Sequence, residues 1–257
     1  MTAIAVLGFG EAGSAIARDV AAAGVSVRGF DPARPAPEGV EAAADAAAAA
    51  AGADVVVSVN AAVVALEVAE TVAPVLEPGR LFADLNTAAP ALKRAVAVQI
   101  EARGARFADV ALLRAVPDWG IGTPALVSGS GAADFAAAFG PLGMPVTQVG
   151  AAAGDAAAQK LVRSVFMKGL AAAVGEALAA AERLDCEEWL RHDIEAMLGA
   201  DARLLRRLIE GSRVHAARRV EEMAAAVAML DELGIEPRIA AASEAWLRSL
   251  AGSEVAR

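Results

Sequence analysis

The sequence predicts an α/β chain in two parts: a doubly wound parallel sheet, then an all-helical region entered through one long helix. Three observations carry this. The short apolar run Ile4-Ala5-Val6-Leu7 ends in Gly8-Phe9-Gly10-Glu11-Ala12-Gly13, and a helix-prone stretch follows from Ser14 to Ala23. Apolar runs of strand length then alternate with runs of helix length as far as Gly150. Beyond Gly150 no convincing strand appears.

The glycine spacing has a physical meaning in this strand–turn–helix setting. Gly8 permits a tight turn, Gly10 lets a pyrophosphate approach the backbone, and Gly13 lets the helix pack closely on the strand. The amides of Phe9, Gly10, Glu11 and Ala12 then face the phosphates at the positive end of the helix. Asp31 ends the next apolar run, Val25–Phe30, where an acid can take the adenine ribose hydroxyls. The combination predicts a Rossmann domain that binds NAD, with NADP possible because Arg34 follows closely.

The remaining elements follow in order. Strands are expected at Ala3–Leu7, Val25–Phe30, Asp54–Val59, Leu81–Asp84 and Arg106–Val110, with helices at 11–23, 41–51, 61–73 and 90–103 between them. The strands are nearly continuous apolar runs, as expected when helices cover both faces of a parallel sheet. Ala125–Ser128 and Val146–Val149, with a short helix at 132–139, extend it. The helical part is expected as Ala152–Leu184, a helix about 50 Å long, then 187–198, 201–210, 213–233 and 237–251, punctuated by Gly199, Gly211-Ser212 and Gly234. The domain boundary is placed near residue 150, giving a dinucleotide-binding domain over 1–150 and a helical substrate and dimerisation domain over 151–257.

In such a sheet the ligand lies across the carboxyl ends of the strands. The loops there carry Ser58, Asn60, Asn86 and Thr87, and then the segment 111–123 with Leu113, Arg114 and Trp119. Asn60 and Asn86 serve either as helix caps or as cofactor contacts.

Composition narrows the function. The net charge of −9 is spread along the chain, with no basic patch interleaved with aromatics, which sets nucleic acid aside. Two histidines and one cysteine, far apart, offer no metal-ligand spacing. Cys186 cannot make an internal disulfide, no cationic leader precedes the first strand, and no run reaches a charge-free membrane span of bulky side chains. A cytoplasmic protein with a small-molecule substrate is expected. The helical region is richer in apolar residues than so small a domain could bury alone, which predicts a homodimer.

On the long helix, Lys160, Ser164 and Lys168 recur at four-residue spacing and share one face. A lysine near a helix N-terminus, partly desolvated, suits proton transfer at a carbonyl or hydroxyl oxygen; solvated surface lysines would show the same spacing. His215, Arg218 and Glu222 also stand at helical-neighbour spacing, either facing a cleft or forming a solvated face.

These motifs together resemble the β-hydroxyacid dehydrogenase superfamily, which includes 3-hydroxyisobutyrate and 6-phosphogluconate dehydrogenase-like proteins. Gly8, Gly10 and Gly13 match its nucleotide turn. Asp84-Leu85-Asn86-Thr87-Ala88-Ala89-Pro90 loosely resembles its Asp-x-[Ser/Thr]-x-x-x-Pro stretch, and Gly154 with Lys160 matches its catalytic-helix interval. The resemblance implies a long interdomain helix, an interlocked dimer and Lys160 as the catalytic lysine. It also implies an NAD(P)-dependent oxidoreductase acting on a small hydroxy acid or carbonyl compound. Two departures stand out. Ser164 occupies the position of the family's asparagine, and Asp109-Val110-Ala111-Leu112-Leu113-Arg114 replaces its Asp-Ala-Pro-Val-Ser-Gly substrate loop. Leu113 cannot hydrogen-bond through its side chain, whereas Arg114 can hold a carboxylate in bidentate fashion. The branch resembled is one of NAD-binding oxidoreductases with an altered substrate loop and a short helical tail. An imine reductase and a non-catalytic dinucleotide-binding protein are the alternatives.

Overall fold

The computed structural model describes residues 3–198 and 202–254. The chain forms two compact units, residues 1–160 and 161–257. Gly199 and the expected helix start at residue 201 lie outside the described residues.

The first unit is built on an eight-stranded sheet: β1 (Ala3–Leu7), β2 (Ser26–Phe30), β3 (Glu41–Ala42), β4 (Val55–Ser58), β5 (Leu81–Asp84), β6 (Arg106–Leu112), β7 (Ala125–Ser128) and β8 (Val146–Gly150), in the order β3-β2-β1-β4-β5-β6-β7-β8. Its helices are α1 (Glu11–Ala22), α2 (Ala46–Ala50), α3 (Ala65–Val72), α4 (Pro90–Glu101), α5 (Val116–Trp119) and α6 (Ala132–Phe139). Strand side chains alternate between two cores. Ile4, Val6 and Val57 pack with Ile16 and Val20 of α1 and Phe135 and Phe139 of α6. Leu7, Val56 and Phe82 pack with Val72 of α3 and Val96 and Ile100 of α4. Burial on both faces is why the strands read as unbroken apolar runs.

The expectation of a wholly parallel sheet is corrected at one joint. β6 and β7 are antiparallel, with Asp109 opposite Ser128 and Leu112 opposite Ala125. A parallel return would need a crossover long enough to carry the chain back to the far edge. The connection holds only the four-residue α5 and a short 3-10 turn at Gly120–Gly122, so the chain re-enters at the edge it left.

Helix 41–51 is also corrected. Glu41 and Ala42 pair with Arg28 and Gly29 as an edge strand. The helix starts only after Asp45, whose carboxylate accepts the Ala48 amide at 2.7 Å. Arg28 closes its end by donating to the carbonyls of Ala49 and Ala51.

The long helix α7 runs Asp155–Arg183, shorter at both ends than expected. Gly154 stands in the left-handed region, φ +99°, where it packs against Pro90, and Asp185 at φ +53° turns the chain after the last residues. Among the described residues four more helices follow: α8 (Glu187–Met197), α9 (Ala202–Val214), α10 (Ala216–Glu232) and α11 (Arg238–Glu254). Gly211-Ser212 does not break α9, because Ser212 returns its hydroxyl to the Leu208 carbonyl and the missing side chain of Gly211 makes room for Arg219. The break falls at His215.

By length and composition α7 is the one helix among the described residues that could cross a membrane, because its alanines raise mean hydropathy without bulk. It is not a charge-free span of bulky side chains, since Lys160, Arg163, Lys168 and Glu176 interrupt it and alanine supplies most of its apolar positions. Its Ala171, Val174 and Leu178 are buried against Ile194, Leu205 and Leu208, so α7 serves as the core helix of the second unit.

Candidate active site

The glycine turn has the geometry its spacing implies. Gly8 sits at φ +108° with its amide on the Phe30 carbonyl, and a Cβ there would stand 2.6 Å from the Val59 carbonyl oxygen. At Gly13 a Cβ would collide with the Gly8 carbonyl, so α1 lies directly on the turn. Gly10, the cap residue of α1, has open space where a Cβ would point, which leaves its backbone accessible to a pyrophosphate. Phe9 differs from its expected role. Its ring is buried, accommodated by Gly29, and its amide donates to Asp31 Oδ2 at 2.7 Å. Ala12 is half-buried in the first turn of α1; Glu11 there is exposed, so any phosphate contact by Glu11 is made by its amide and not by its carboxylate.

Asp31 ties the second strand to this turn. Oδ2 accepts from Phe9, and Oδ1 accepts from the amides of Ala33 and Arg34 at 2.8 and 3.0 Å. The carboxylate is thereby fixed at the end of β2, while the Arg34 side chain is exposed.

The sheet order reverses between β1 and β4, and the crevice at the strand ends there is the usual ligand position. Ser58, Asn60 and Asn86 converge at this place. Both amide nitrogens donate to Ser58 Oγ, at 3.1 Å from Asn60 and 3.3 Å from Asn86. Neither asparagine caps a helix, since the cap positions fall on Ala61 and Ala89. The amide oxygens of Asn60 and Asn86 are buried acceptors with no hydrogen-bond partner among the described residues. Such acceptors are costly unless a ligand donor reaches them. With the open face of Gly10, they fit a dinucleotide that carries hydroxyl and amide donors.

Next along the sheet edge stands Thr87, whose hydroxyl accepts a hydrogen bond from Lys160 Nζ at 2.7 Å. Lys160 is placed by the first turn of α7. There the Ala157 amide donates to Asp109 Oδ2 at 2.9 Å, and the Ala156 amide donates to Ser128 Oγ at 3.0 Å. A carboxylate at a helix N-terminus satisfies orphan amides and opposes the helix dipole.

Beneath this contact lies a buried charge cluster that includes a residue outside the expected site. Lys93, 1% exposed, donates to the Asp84 carbonyl at 2.8 Å and stands 3.4 Å from Asp84 Oδ2 and 3.2 Å from Asp109 Oδ1. Burial raises the Asp84 carboxyl above the usual carboxylate range, opposed by Lys93 and by the Asn86 amide. One sequence signal could have found Lys93: the chain has three lysines against twenty arginines. All three lysines are hydrogen-bonded and none is exposed.

In the second unit, Ser164 donates its hydroxyl to Glu222 Oε1, and Lys168 pairs with the same oxygen at 3.0 Å. Lys168 also reaches Ser164 Oγ at 3.4 Å. Burial lowers the Lys168 ammonium below its usual range, with Glu222 opposing the shift. Glu222, seen in sequence only as a neighbour of His215 and Arg218, thus reaches α7. His215 occupies the cap position of α10, and Arg218 is exposed.

The altered loop is built differently from a hydroxyl-bearing one. Leu113 donates its amide to the Pro124 carbonyl. Arg114 stacks over Trp119, its guanidinium carbon 4.2 Å from the ring centroid. Asp19, two turns into α1 and about 12 Å from its start, accepts the Ile121 amide at 2.7 Å and holds this bend on the helix flank. Among the described residues no group of three or more His, Cys, Asp or Glu gathers as a metal site.

Residues 3–150 match the family model described as the NAD binding domain of 6-phosphogluconate dehydrogenase. The chain belongs to this 6-phosphogluconate dehydrogenase-like, NAD-binding family. It is an oxidoreductase-type member of the wider hydroxyacid dehydrogenase-like superfamily, and its helical residues 181–250 match a domain of unknown function (DUF1932). A conserved hypothetical protein from Sinorhizobium meliloti 1021 is 30% identical, covering 96% of this chain and 88% of that one, with a TM-score of 0.77. The conserved protein MTH1747, described as structurally similar to 3-hydroxyacid dehydrogenases, is 27% identical over 98% of both chains, TM-score 0.77. At 22% identity, Mycobacterium tuberculosis 3-hydroxyisobutyrate dehydrogenase shares the fold, TM-score 0.83, over 98% of this chain and 94% of its own. No curated protein sequence matches the chain significantly.

Proposed function

We propose that this family member transfers a hydride between a nicotinamide cofactor and a small hydroxy acid or its carbonyl counterpart, with Lys160 as general acid and base. The observation that supports this most is the Lys160–Thr87 hydrogen bond at the ligand edge of the sheet. The nicotinamide supplies or accepts the hydride when bound. The amides of Gly10, Glu11 and Ala12 hold the pyrophosphate at the start of α1, Asp31 takes the adenine ribose, and Ser58, Asn60 and Asn86 offer polar partners near the switch point. Lys160 hands its proton to the substrate's carbonyl oxygen on reduction and recovers it on oxidation. Ser164 and Lys168, one and two turns further along α7, are the candidate supporting residues. Arg114 is the candidate partner for a substrate carboxylate. The retained lysine sets this reading apart from an imine reductase.

NAD is the proposed physiological cofactor, because the Asp31 carboxylate repels a 2′-phosphate. Asp31→Ser is expected to narrow the preference for NAD over NADP. The ratio of dissociation constants by fluorescence titration checks it, and a preference for NADP in the unmodified protein would refute it.

The proposed assembly is a homodimer through the helical unit. Val162, Phe166, Leu184, Trp189, Val214 and Ile239 there are all more than half exposed, apolar side chains that a second copy would cover. Light scattering at micromolar concentration is expected to give twice the chain mass; a monomer there would count against it.

A further inference from the structure

We propose that Lys93 is a positioning residue: one buried ammonium holds both the loop that carries Thr87 and the helix turn that carries Lys160. The inference rests on the reading of Lys160 as the proton-transfer group.

Asp84 and Asp109 are register partners on adjacent strands, so their carboxylates leave the sheet side by side, both fully buried. Two such charges repel, and the Lys93 Nζ between them makes the arrangement tenable. From Asp84 the path runs to the loop. Its Oδ1 accepts the Asn86 amide at 2.9 Å, and its carbonyl is held by Lys93, which fixes the turn into Thr87. From Asp109 the path runs to the helix, where Oδ2 accepts the Ala157 amide, three residues before Lys160. Ser128 binds the preceding amide and donates to the same carboxylate at 3.3 Å. The acceptor and the donor of the Lys160–Thr87 bond are therefore referred to a single cation.

A buried ion cluster is a poor way to gain stability. Apolar side chains of similar volume often do as well or better, and in some proteins such groups are kept because they fix geometry. At this place a methionine would fill the volume of Lys93 and abandon both anchors.

The test uses the scarcity of lysine. Amine acetylation, followed by peptide mass spectrometry, reads Lys160 and Lys168 separately on the full chain and needs no substrate. Lys93→Met alone would strand two buried carboxylates, so it is combined with Asp84→Asn, which keeps the cluster's formal charge at the wild-type value. Lys93→Gln with Asp84→Asn, which leaves a donor in the cavity, carries the same test if the first pair does not fold. Loss of the Lys160–Thr87 hydrogen bond, at the strength of a charged hydrogen bond, is expected to speed Lys160 acetylation about tenfold at neutral pH. Thr87→Val should reproduce that change, and Lys168 should label at the wild-type rate in every variant. A folded double variant whose Lys160 labels as in wild type would overturn the proposal, leaving Lys93 merely structural. So would an unchanged rate in Thr87→Val, which would break the path between the two lysines. Failure of the enzymatic reading would appear elsewhere, as turnover that persists without Lys160.

Discussion

Lys160→Ala is expected to lower turnover by about a hundred- to ten-thousand-fold, the usual worth of a positioned acid or base, while leaving dinucleotide affinity nearly unchanged. The separation follows from placement. Lys160 donates to Thr87 at the edge of the sheet, near the start of α7, whereas the glycine turn that would hold the phosphates lies at the start of α1. Lys168→Ala is expected to behave differently. Its ammonium is engaged by Glu222 and Ser164, two helical turns from Lys160, so its loss should act mainly on the Michaelis constant. Steady-state rates at saturating cofactor distinguish the two. Full turnover in Lys160→Ala with loss in Lys168→Ala would reverse the roles.

Gly10→Val is expected to weaken dinucleotide binding by at least about a hundredfold, some 3 kcal/mol, in a protein that still folds. Gly10 has φ −63° and ψ −172°, a conformation open to any residue, and nothing of the protein lies where its Cβ would point. The valine therefore costs the fold little and occupies the space a pyrophosphate needs. Gly13→Ala is the control, because its Cβ meets the Gly8 carbonyl and the loss should appear as stability before affinity. Fluorescence titration with the reduced dinucleotide, beside thermal unfolding, separates these effects. Unchanged affinity in folded Gly10→Val would remove the phosphate role from the turn.

Much of the first unit was legible because its signals are local. The glycine spacing, the apolar strands and Asp31 at the end of β2 follow from short stretches of chain, and the structure joins Asp31 to the turn through one amide. What escaped depends on partners distant in sequence. Glu41 and Ala42 belong to a helix-like alanine run yet pair with β2, because an edge was available and Asp45 could start the helix later. The reversal of β7 depends on how far a short connection can travel, which strand composition does not encode. Gly211-Ser212 reads locally as a helix end, but Arg219 packs where a side chain at Gly211 would stand. In the site, Asn60 and Asn86 were indistinguishable from caps, since only the fold turns both amides onto Ser58. Lys93 carries no motif at all. Its meaning comes from Asp84 and Asp109, on two strands that its own helix connects.

The most direct test of the account is a turnover screen with the unmodified protein beside Lys160→Ala. Loss of reduced nicotinamide absorbance is followed over a panel of aldehydes, keto acids and imines at saturating cofactor. Oxidation of the dinucleotide by at least one aldehyde or keto acid is expected, with the rate in Lys160→Ala lower by about a hundredfold or more. Tight dinucleotide binding without turnover of any panel member, or equal rates in the two proteins, would contradict it.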